Sequence, residues 1–423
     1  MPARGDRNNK DEGRSTVDAA SALSPVDRRD AQADIDRLTQ LATEDAPASI
    51  HSDLGLAYLR QGRATADPAY LTLAGDSFES ALAADPDDYR ALVGSAMLAG
   101  SRHRFGDMEQ LGHRAIASNP ASAAAYGVLG DALFEQGRYG AAIEAYQEML
   151  DRRPDLAAYS RISYLYETLG NNDAAVRWMR LALGTSVRPA DIAYSSYHLF
   201  MIELRRGNEE AARRHLQRAV ELAPNDHLTL AGQGHLAFVD GDIERARSWY
   251  QAAFEAVPSL AYMGALAELA TIQGDEAEAG RYYDLAFERE QEFLANDALP
   301  DAELAVFSTD AGRVTHALDL AARLQRARPT AATEEALGWA LFRSGYPERA
   351  LKLLQASVAD GGDSHTRFFA AQAALELDEQ AMAKRYLKGA LELDPYFSYR
   401  YAGLAQEQLE SLSEAASSSS GRG

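Results

Sequence analysis

Residues 126–154 decide the fold of this chain and read YGVLGDALFEQGRYGAAIEAYQEMLDRRP. Small or apolar residues recur at helical spacing on one face of each of two segments: Leu129, Gly130 and Leu133 in the first, and Ala142, Tyr146 and Met149 in the second. Gly137 lies between the two segments, at a position where glycine commonly ends a helix. The stretch therefore predicts a helical hairpin.

The same pattern recurs on both sides of this hairpin. Prolines close successive units at intervals of about 34 residues, a period typical of helix-turn-helix repeats: Pro86, Pro120 and Pro154, and again Pro224 and Pro258. We count about ten such units over residues 47–395. No stretch shows the alternation that is typical of a strand.

These units resemble the tetratricopeptide repeat family, whose signature places Leu-Gly and a Tyr-like residue in the first helix. A small residue, an aromatic residue and an alanine follow in the second helix, before a closing proline. One copy contains the residues Leu54, Gly55, Tyr58, Ala74, Phe78, Ala81 and Pro86. The resemblance implies an all-α, right-handed α-solenoid superhelix of about ten helical hairpins, each stabilised by stacking on its neighbours.

We expect five segments along the chain. Residues 1–29 are polar and predicted to be disordered, and residues 30–46 form a capping helix through Ile35, Leu38 and Leu41. The repeat array covers residues 47–395. Residues 396–414 are predicted to form a C-terminal capping helix, and residues 415–423 a disordered tail.

Charge argues against two classes of partner. The formal net charge is −21, which repels phosphate backbones and anionic lipid head groups, and no basic patch offsets it. No apolar run approaches the ~18 residues that a membrane span requires. We therefore expect no binding to nucleic acid and no membrane insertion. We expect a cytoplasmic protein or, if an export signal has been removed, a periplasmic or exported one.

No pattern of residues indicates catalysis or metal binding. The chain has no cysteine, and its nine histidines lack the spacing of metal ligands. Gly232-Gln-Gly234 fits a loose dinucleotide fingerprint, but no strand precedes it, so we interpret Gly234 as a close-packing position. We predict a protein that is not an enzyme and uses no cofactor or metal.

The family resemblance also implies that the first helix of each hairpin lines a concave groove. The family geometry places eleven residues of this chain on or near that groove: Met97, Phe134, Tyr164, Tyr194, Tyr197, Met201, His235, Phe238, Trp339, Phe342 and Phe368. Exposed aromatic residues and methionines are typical of interface centres, so we predict binding of an apolar to mildly basic protein or peptide segment. The alternative is that some of them, Phe134 and Tyr164 above all, are core residues.

One known use of the fold is disfavoured. Relatives that hold the C-terminal carboxylate of chaperones place Lys and Asn on inner positions of the first helices. This chain has Val93, Gly127, Asp131 and Tyr164 at comparable places, so we expect no carboxylate clamp.

The sequence thus predicts a non-catalytic protein-binding scaffold or adaptor that helps to assemble a complex. Three alternatives stay open: a peptide-sensing regulator, a periplasmic scaffold of an envelope or secretion complex, and a helical-repeat enzyme.

Overall fold

The computed structural model describes residues 25–67, 69–295, 300–359 and 362–420. Within these ranges it contains 22 α-helices and no strand. Of the segments predicted to be disordered, residues 1–24 and 421–423 lie outside the described residues. In chain order the helices are α1 (Pro25–Leu41), α2 (Ala48–Thr65), α3 (Ala69–Ala84), α4 (Tyr89–Ser101), α5 (Phe105–Ser118), α6 (Ala123–Glu135), α7 (Tyr139–Arg152), α8 (Leu156–Thr168), α9 (Asn172–Thr185), α10 (Pro189–Arg205), α11 (Glu209–Leu222), α12 (His227–Val239), α13 (Ile243–Ala256), α14 (Leu260–Ile272), α15 (Glu276–Ala295), α16 (Ala302–Asp310), α17 (Val314–Ala327), α18 (Ala331–Arg343), α19 (Pro347–Ala359), α20 (Ser364–Glu376), α21 (Gln380–Leu393) and α22 (Tyr401–Ser420).

Twenty of these helices pair into ten hairpins, numbered from hairpin 1 (α2 and α3) to hairpin 10 (α20 and α21). Each hairpin packs against the next, so the prediction of an all-α solenoid of about ten hairpins is confirmed. Before the array, α1 buries Ile35 and Leu38 against Leu54 and Ala57 of hairpin 1. After the array, α22 packs against α21.

Small residues allow the close approach of helices within the hairpins. A Cβ atom on Gly234 would lie 2.8 Å from Cδ2 of Tyr250, which is closer than carbon atoms pack, so only glycine fits there. Ala142 and Ala246, at the small position of the second helix, are fully buried. Gly137 ends α6 with φ of 71°, in the left-handed region that glycine tolerates best. The packing interpretation of Gly234 is therefore correct.

The array winds far enough for its first hairpins to contact later ones. Nη1 of Arg289 in hairpin 7 donates a hydrogen bond of 3.4 Å to the carbonyl oxygen of Ala66 in hairpin 1. In the turn of hairpin 2, His103 Nε2 lies 3.5 Å from Oδ2 of Asp301, which directly precedes α16 of hairpin 8. The described chain thus completes a turn of the superhelix.

The last helix begins at Tyr401, and residues 394–400 before it are not helical. We call residues 394–400 the C-terminal loop. Pro395 has no N–H group to continue α21. The hydroxyl of Ser398 then accepts hydrogen bonds from the backbone N–H groups of Arg400, at 3.2 Å, and Tyr401, at 3.0 Å, which caps the start of α22. A break therefore lies inside the segment for which a continuous helix from Tyr396 is predicted.

Candidate peptide-binding groove

The C-terminal loop lies in the groove of the middle hairpins. Ser398 contacts Glu268 of α14, which is 130 residues earlier in the chain. Tyr399 contacts His235 of α12, which is 164 residues earlier. The groove therefore holds a short non-helical segment of the same chain.

Glu268 is the principal polar anchor of the loop. The hydroxyl of Ser398 donates to the Glu268 carboxylate, lying 3.0 Å from each oxygen, and the backbone N–H of Tyr399 donates to Oε2 at 2.8 Å. Burial raises the pKa of Glu268, while the hydrogen bonds from Ser398 and Tyr399 act in the opposite direction. The carboxylate thus binds one side-chain group and one main-chain group of the loop.

The side chain of Tyr399 enters a recess formed by aromatic residues. Its hydroxyl lies 2.7 Å from Nδ1 of His235 and also bonds the hydroxyl of Tyr250. Its ring meets Phe238 edge to face, with centroids 4.6 Å apart, and meets Tyr250 at 5.6 Å. The recess therefore holds both parts of a tyrosine, its ring and its hydroxyl.

Two ion pairs that share Arg205 and one apolar contact hold the first part of the loop. Nε of Arg205 in α10 lies 3.4 Å from Oδ2 of Asp394, and Nη1 of Arg205 pairs with Glu167 in α8. Tyr396 packs against the buried cluster of hairpin 5 that also receives Tyr197 and Met201. The beginning of the loop is therefore fixed to hairpins 4 and 5.

Tyr401 fixes the far end of the loop to hairpins 8 to 10. Its hydroxyl donates to Oδ1 of Asp310 at 2.6 Å, and the indole N–H of Trp339 donates to the same oxygen at 2.8 Å. The ring of Tyr401 stacks on Phe368 with centroids 4.9 Å apart. Phe342 stacks on Trp339 at 5.3 Å.

The structure brings together seven of the eleven residues predicted for the groove. Some of the seven contact the C-terminal loop or Tyr401 directly, and the others belong to a side-chain cluster that includes a loop residue or Tyr401. The seven residues are Tyr197, Met201, His235, Phe238, Trp339, Phe342 and Phe368. Each of the eleven side chains is buried or half-buried. Their predicted role in binding a partner stays a prediction.

The other four predicted residues pack among the helices of hairpins 1 to 5. Phe134 is 1% exposed and packs against Tyr164, with ring centroids 5.4 Å apart. Tyr194 lies against His198 at 4.4 Å, and Met97 is half-buried beside the core of hairpins 1 and 2. Phe134 therefore contributes to the packing between α6 and α8.

Charged groups on the inner helices of hairpins 3 and 4 are paired within the chain. Arg161 of α8 binds Asp131 of α6 through two parallel hydrogen bonds, Nε to Oδ1 at 2.8 Å and Nη2 to Oδ2 at 3.0 Å. The hydroxyl of Tyr146 donates to Asp131 Oδ1 at 2.9 Å. This part of the inner surface is therefore a fixed polar network that joins consecutive hairpins.

Sequence reasoning missed the C-terminal loop as a component of the groove. The available signal was composition, because residues 396–401 read YFSYRY and contain four aromatic residues, which is unusual for a solvated capping helix. The spatial position of the loop had no local signal, because all its groove contacts are distant in sequence.

The residues around the C-terminal loop present hydrogen-bonding groups and aromatic surfaces. Glu268 accepts main-chain and hydroxyl donors, and His235 with Tyr250 bonds a phenol. Among the described residues, no three or more His, Asp or Glu side chains are placed to hold a metal ion. No helix within the same ranges is both long and apolar enough to cross a membrane.

A tetratricopeptide repeat family model matches residues 109–157, 130–191 and 197–261, and a second such model matches residues 364–397. No curated protein is detectably similar in sequence. A thermophilic tetratricopeptide repeat protein of Thermus thermophilus is 22% identical, with 42% of this chain and 93% of that chain covered and a TM-score of 0.37. PilF of Pseudomonas aeruginosa is 19% identical, with coverages of 51% and 94% and a TM-score of 0.38. Human IFIT1, solved as a dimer with PPP-AAAA, is 15% identical, with coverages of 74% and 72% and a TM-score of 0.47.

Proposed function

This chain belongs to the tetratricopeptide repeat family, and we propose that it is a non-catalytic scaffold that binds a partner segment in its concave groove and helps to assemble a complex. Solenoids of this kind generally bind other proteins on their extended concave surfaces. One observation supports binding of a segment in the groove: hairpins 5 to 7 hold a short non-helical segment there, the C-terminal loop.

The contacts to the C-terminal loop are of a kind that a partner segment can also make. The backbone N–H of Tyr399 bonds Glu268, and every peptide other than one with proline at that position offers such a donor. The recess at Phe238 and Tyr250 accepts an aromatic side chain. Main-chain bonds supply affinity and side-chain recesses supply specificity, as in other modes of peptide recognition.

The test replaces two groove residues outside the Glu268 anchor. Both replacements are made in a Tyr399→Ala chain, in which the loop no longer fills the recess at Phe238. Relative to Tyr399→Ala alone, Tyr197→Ala with Phe238→Ala should weaken partner binding by about 2 kcal/mol, about 30-fold, because aromatic residues at interface centres carry much of the binding energy. Partners are captured from the native host by affinity purification and identified by mass spectrometry, and affinity is then measured with the purified partner. Tyr346→Ala is the control, since Tyr346 is 46% exposed in the turn of hairpin 9.

Stability must be measured on the same double variant. Its loss should be well below the ~3 kcal/mol or more that a truncated core aromatic costs, because both side chains are only partly buried. A large fall in melting temperature with unchanged affinity per folded molecule would assign both residues to packing and contradict the proposal.

A further inference from the structure

We propose that the C-terminal loop is a built-in competitor for the groove, and that the partner segment presents the same chemistry: a hydroxyl residue followed by a tyrosine, in non-helical conformation. This inference rests on the proposed function, because it specifies the ligand of that same groove. The corresponding residues of the loop are Ser398 and Tyr399.

The groove distinguishes a tyrosine from other side chains at the second position. The hydroxyl of Tyr399 bonds His235 Nδ1 at 2.7 Å and also the hydroxyl of Tyr250, at the end of a recess lined by Phe238. A phenylalanine would fill the recess and leave these polar groups without that bond, which is costly in a buried site. An alanine would leave the recess empty.

The preceding hydroxyl residue is recognised by Glu268. Ser398 is 3% exposed, and its hydroxyl donates to the Glu268 carboxylate from 3.0 Å. Oε2 of the same carboxylate also accepts the backbone N–H of Tyr399 at 2.8 Å. A hydroxyl residue followed by any residue with a backbone N–H therefore satisfies Glu268.

The residue after the tyrosine is held through its main chain. The backbone N–H of Arg400 lies 3.4 Å from Oε2 of Glu268, the oxygen that also accepts the N–H of Tyr399. The guanidinium of Arg400 lies over the ring of the adjacent Tyr401, 5.1 Å from its centroid. Glu268 therefore contacts two consecutive main-chain N–H groups of the loop.

Covalent attachment of the loop explains why it would occupy the groove in the isolated chain. The loop is joined directly to α21 and α22, and a short tether gives an effective concentration on the order of millimolar. The apparent affinity of a partner equals its intrinsic affinity multiplied by the fraction of molecules whose groove is free. A chain with a weakened loop should therefore bind the same segment more tightly.

The experiment uses the full chain and a labelled synthetic peptide, DPYFSYRYA, which copies residues 394–402. Fluorescence anisotropy gives its dissociation constant for the wild type and for the Ser398→Ala/Tyr399→Ala variant. The variant should bind at least ~10-fold more tightly, since its own loop lacks the contacts that compete. Adding Glu268→Gln to this variant should abolish the tighter binding. A control peptide with alanine in place of the serine and the central tyrosine should not bind the variant more tightly than the wild type.

Equal dissociation constants for wild type and variant would overturn the proposal, as would equal binding of the control peptide. Circular dichroism checks that the variant folds. If it does not, Tyr399→Phe, which keeps the ring and removes only the hydroxyl contacts, is used with hydrogen exchange over residues 394–400. Saturating peptide should then accelerate exchange in the loop at least ~10-fold; unchanged protection would make the loop a permanent brace and overturn the proposal. A partner lost by the Tyr197/Phe238 variant would still support the proposed function after such a result.

Discussion

Replacement of Asp131 by alanine should destabilise the chain by about 3–5 kcal/mol, because it leaves a buried guanidinium without its partner. The side chains of Arg161 and Asp131 are 16% and 10% exposed, so solvent can replace little of the lost interaction. Three hydrogen bonds from Arg161 and one from Tyr146 are lost together. The damage should appear first in α6 and α8, which this pair joins.

The chain offers an exposed ion pair as a matched control. Arg213 of α11 and Asp240, which directly follows α12, also join consecutive hairpins, but their side chains are 39% and 46% exposed. Asp240→Ala should therefore cost less than about 1 kcal/mol. A double replacement, Asp131→Leu with Arg161→Met, removes both charges and should recover most of the loss that Asp131→Ala causes.

The assay must resolve local unfolding, because a stack of hairpins need not unfold in one step. Urea denaturation followed by circular dichroism gives the overall loss, and hydrogen exchange over α6, α7 and α8 locates it. Equal losses for Asp131→Ala and Asp240→Ala would refute the argument that burial makes the inner pair the stronger one.

Two further predictions concern hairpins 9 and 3. Burial raises the pKa of Glu335 to about 8, above its ordinary value of 4.5, so the folded chain keeps a proton that the unfolded chain has released. The retained proton stabilises the folded state fully below pH ~4.5, and this stabilisation is lost as the pH rises towards ~8. Glu335→Gln should flatten the fall in melting temperature between those limits, and an unchanged slope would contradict this. Phe134→Ala should lower the free energy of unfolding by about 3–5 kcal/mol, because the Phe134 ring is 1% exposed. Phe342→Ala should lower it by less, because Phe342 is half-buried. Urea denaturation measures both losses. Equal losses would show that burial does not separate the two sites.

The repeat and its packing positions could be predicted from the sequence because each is determined by neighbours within about 34 residues. Gly234 and Tyr250 contact each other within one hairpin, and both belong to the repeating pattern. Gly137 ends its helix through its own backbone conformation. Seven predicted groove residues meet at the loop or at Tyr401 because the first helix of every hairpin presents the same face.

The division between core and groove could not be predicted in the same way. Phe134 and Phe238 both fit an inner position of a first helix, but Phe134 is buried against Tyr164, whereas Phe238 faces Tyr399. The difference depends on the neighbours that fill the adjacent space, and periodicity contains no information about them.

By itself, the sequence determined an α-solenoid with about ten hairpins and an inner surface rich in aromatic residues. Only the tertiary structure decided that the C-terminal loop occupies that surface, with Ser398 at Glu268 and Tyr399 at His235. Stacking between adjacent hairpins is a local interaction, so a repeating pattern encodes it. The meeting of residues 130 or 164 positions apart depends on small rotations between hairpins that accumulate along the superhelix, and no single repeat specifies their sum.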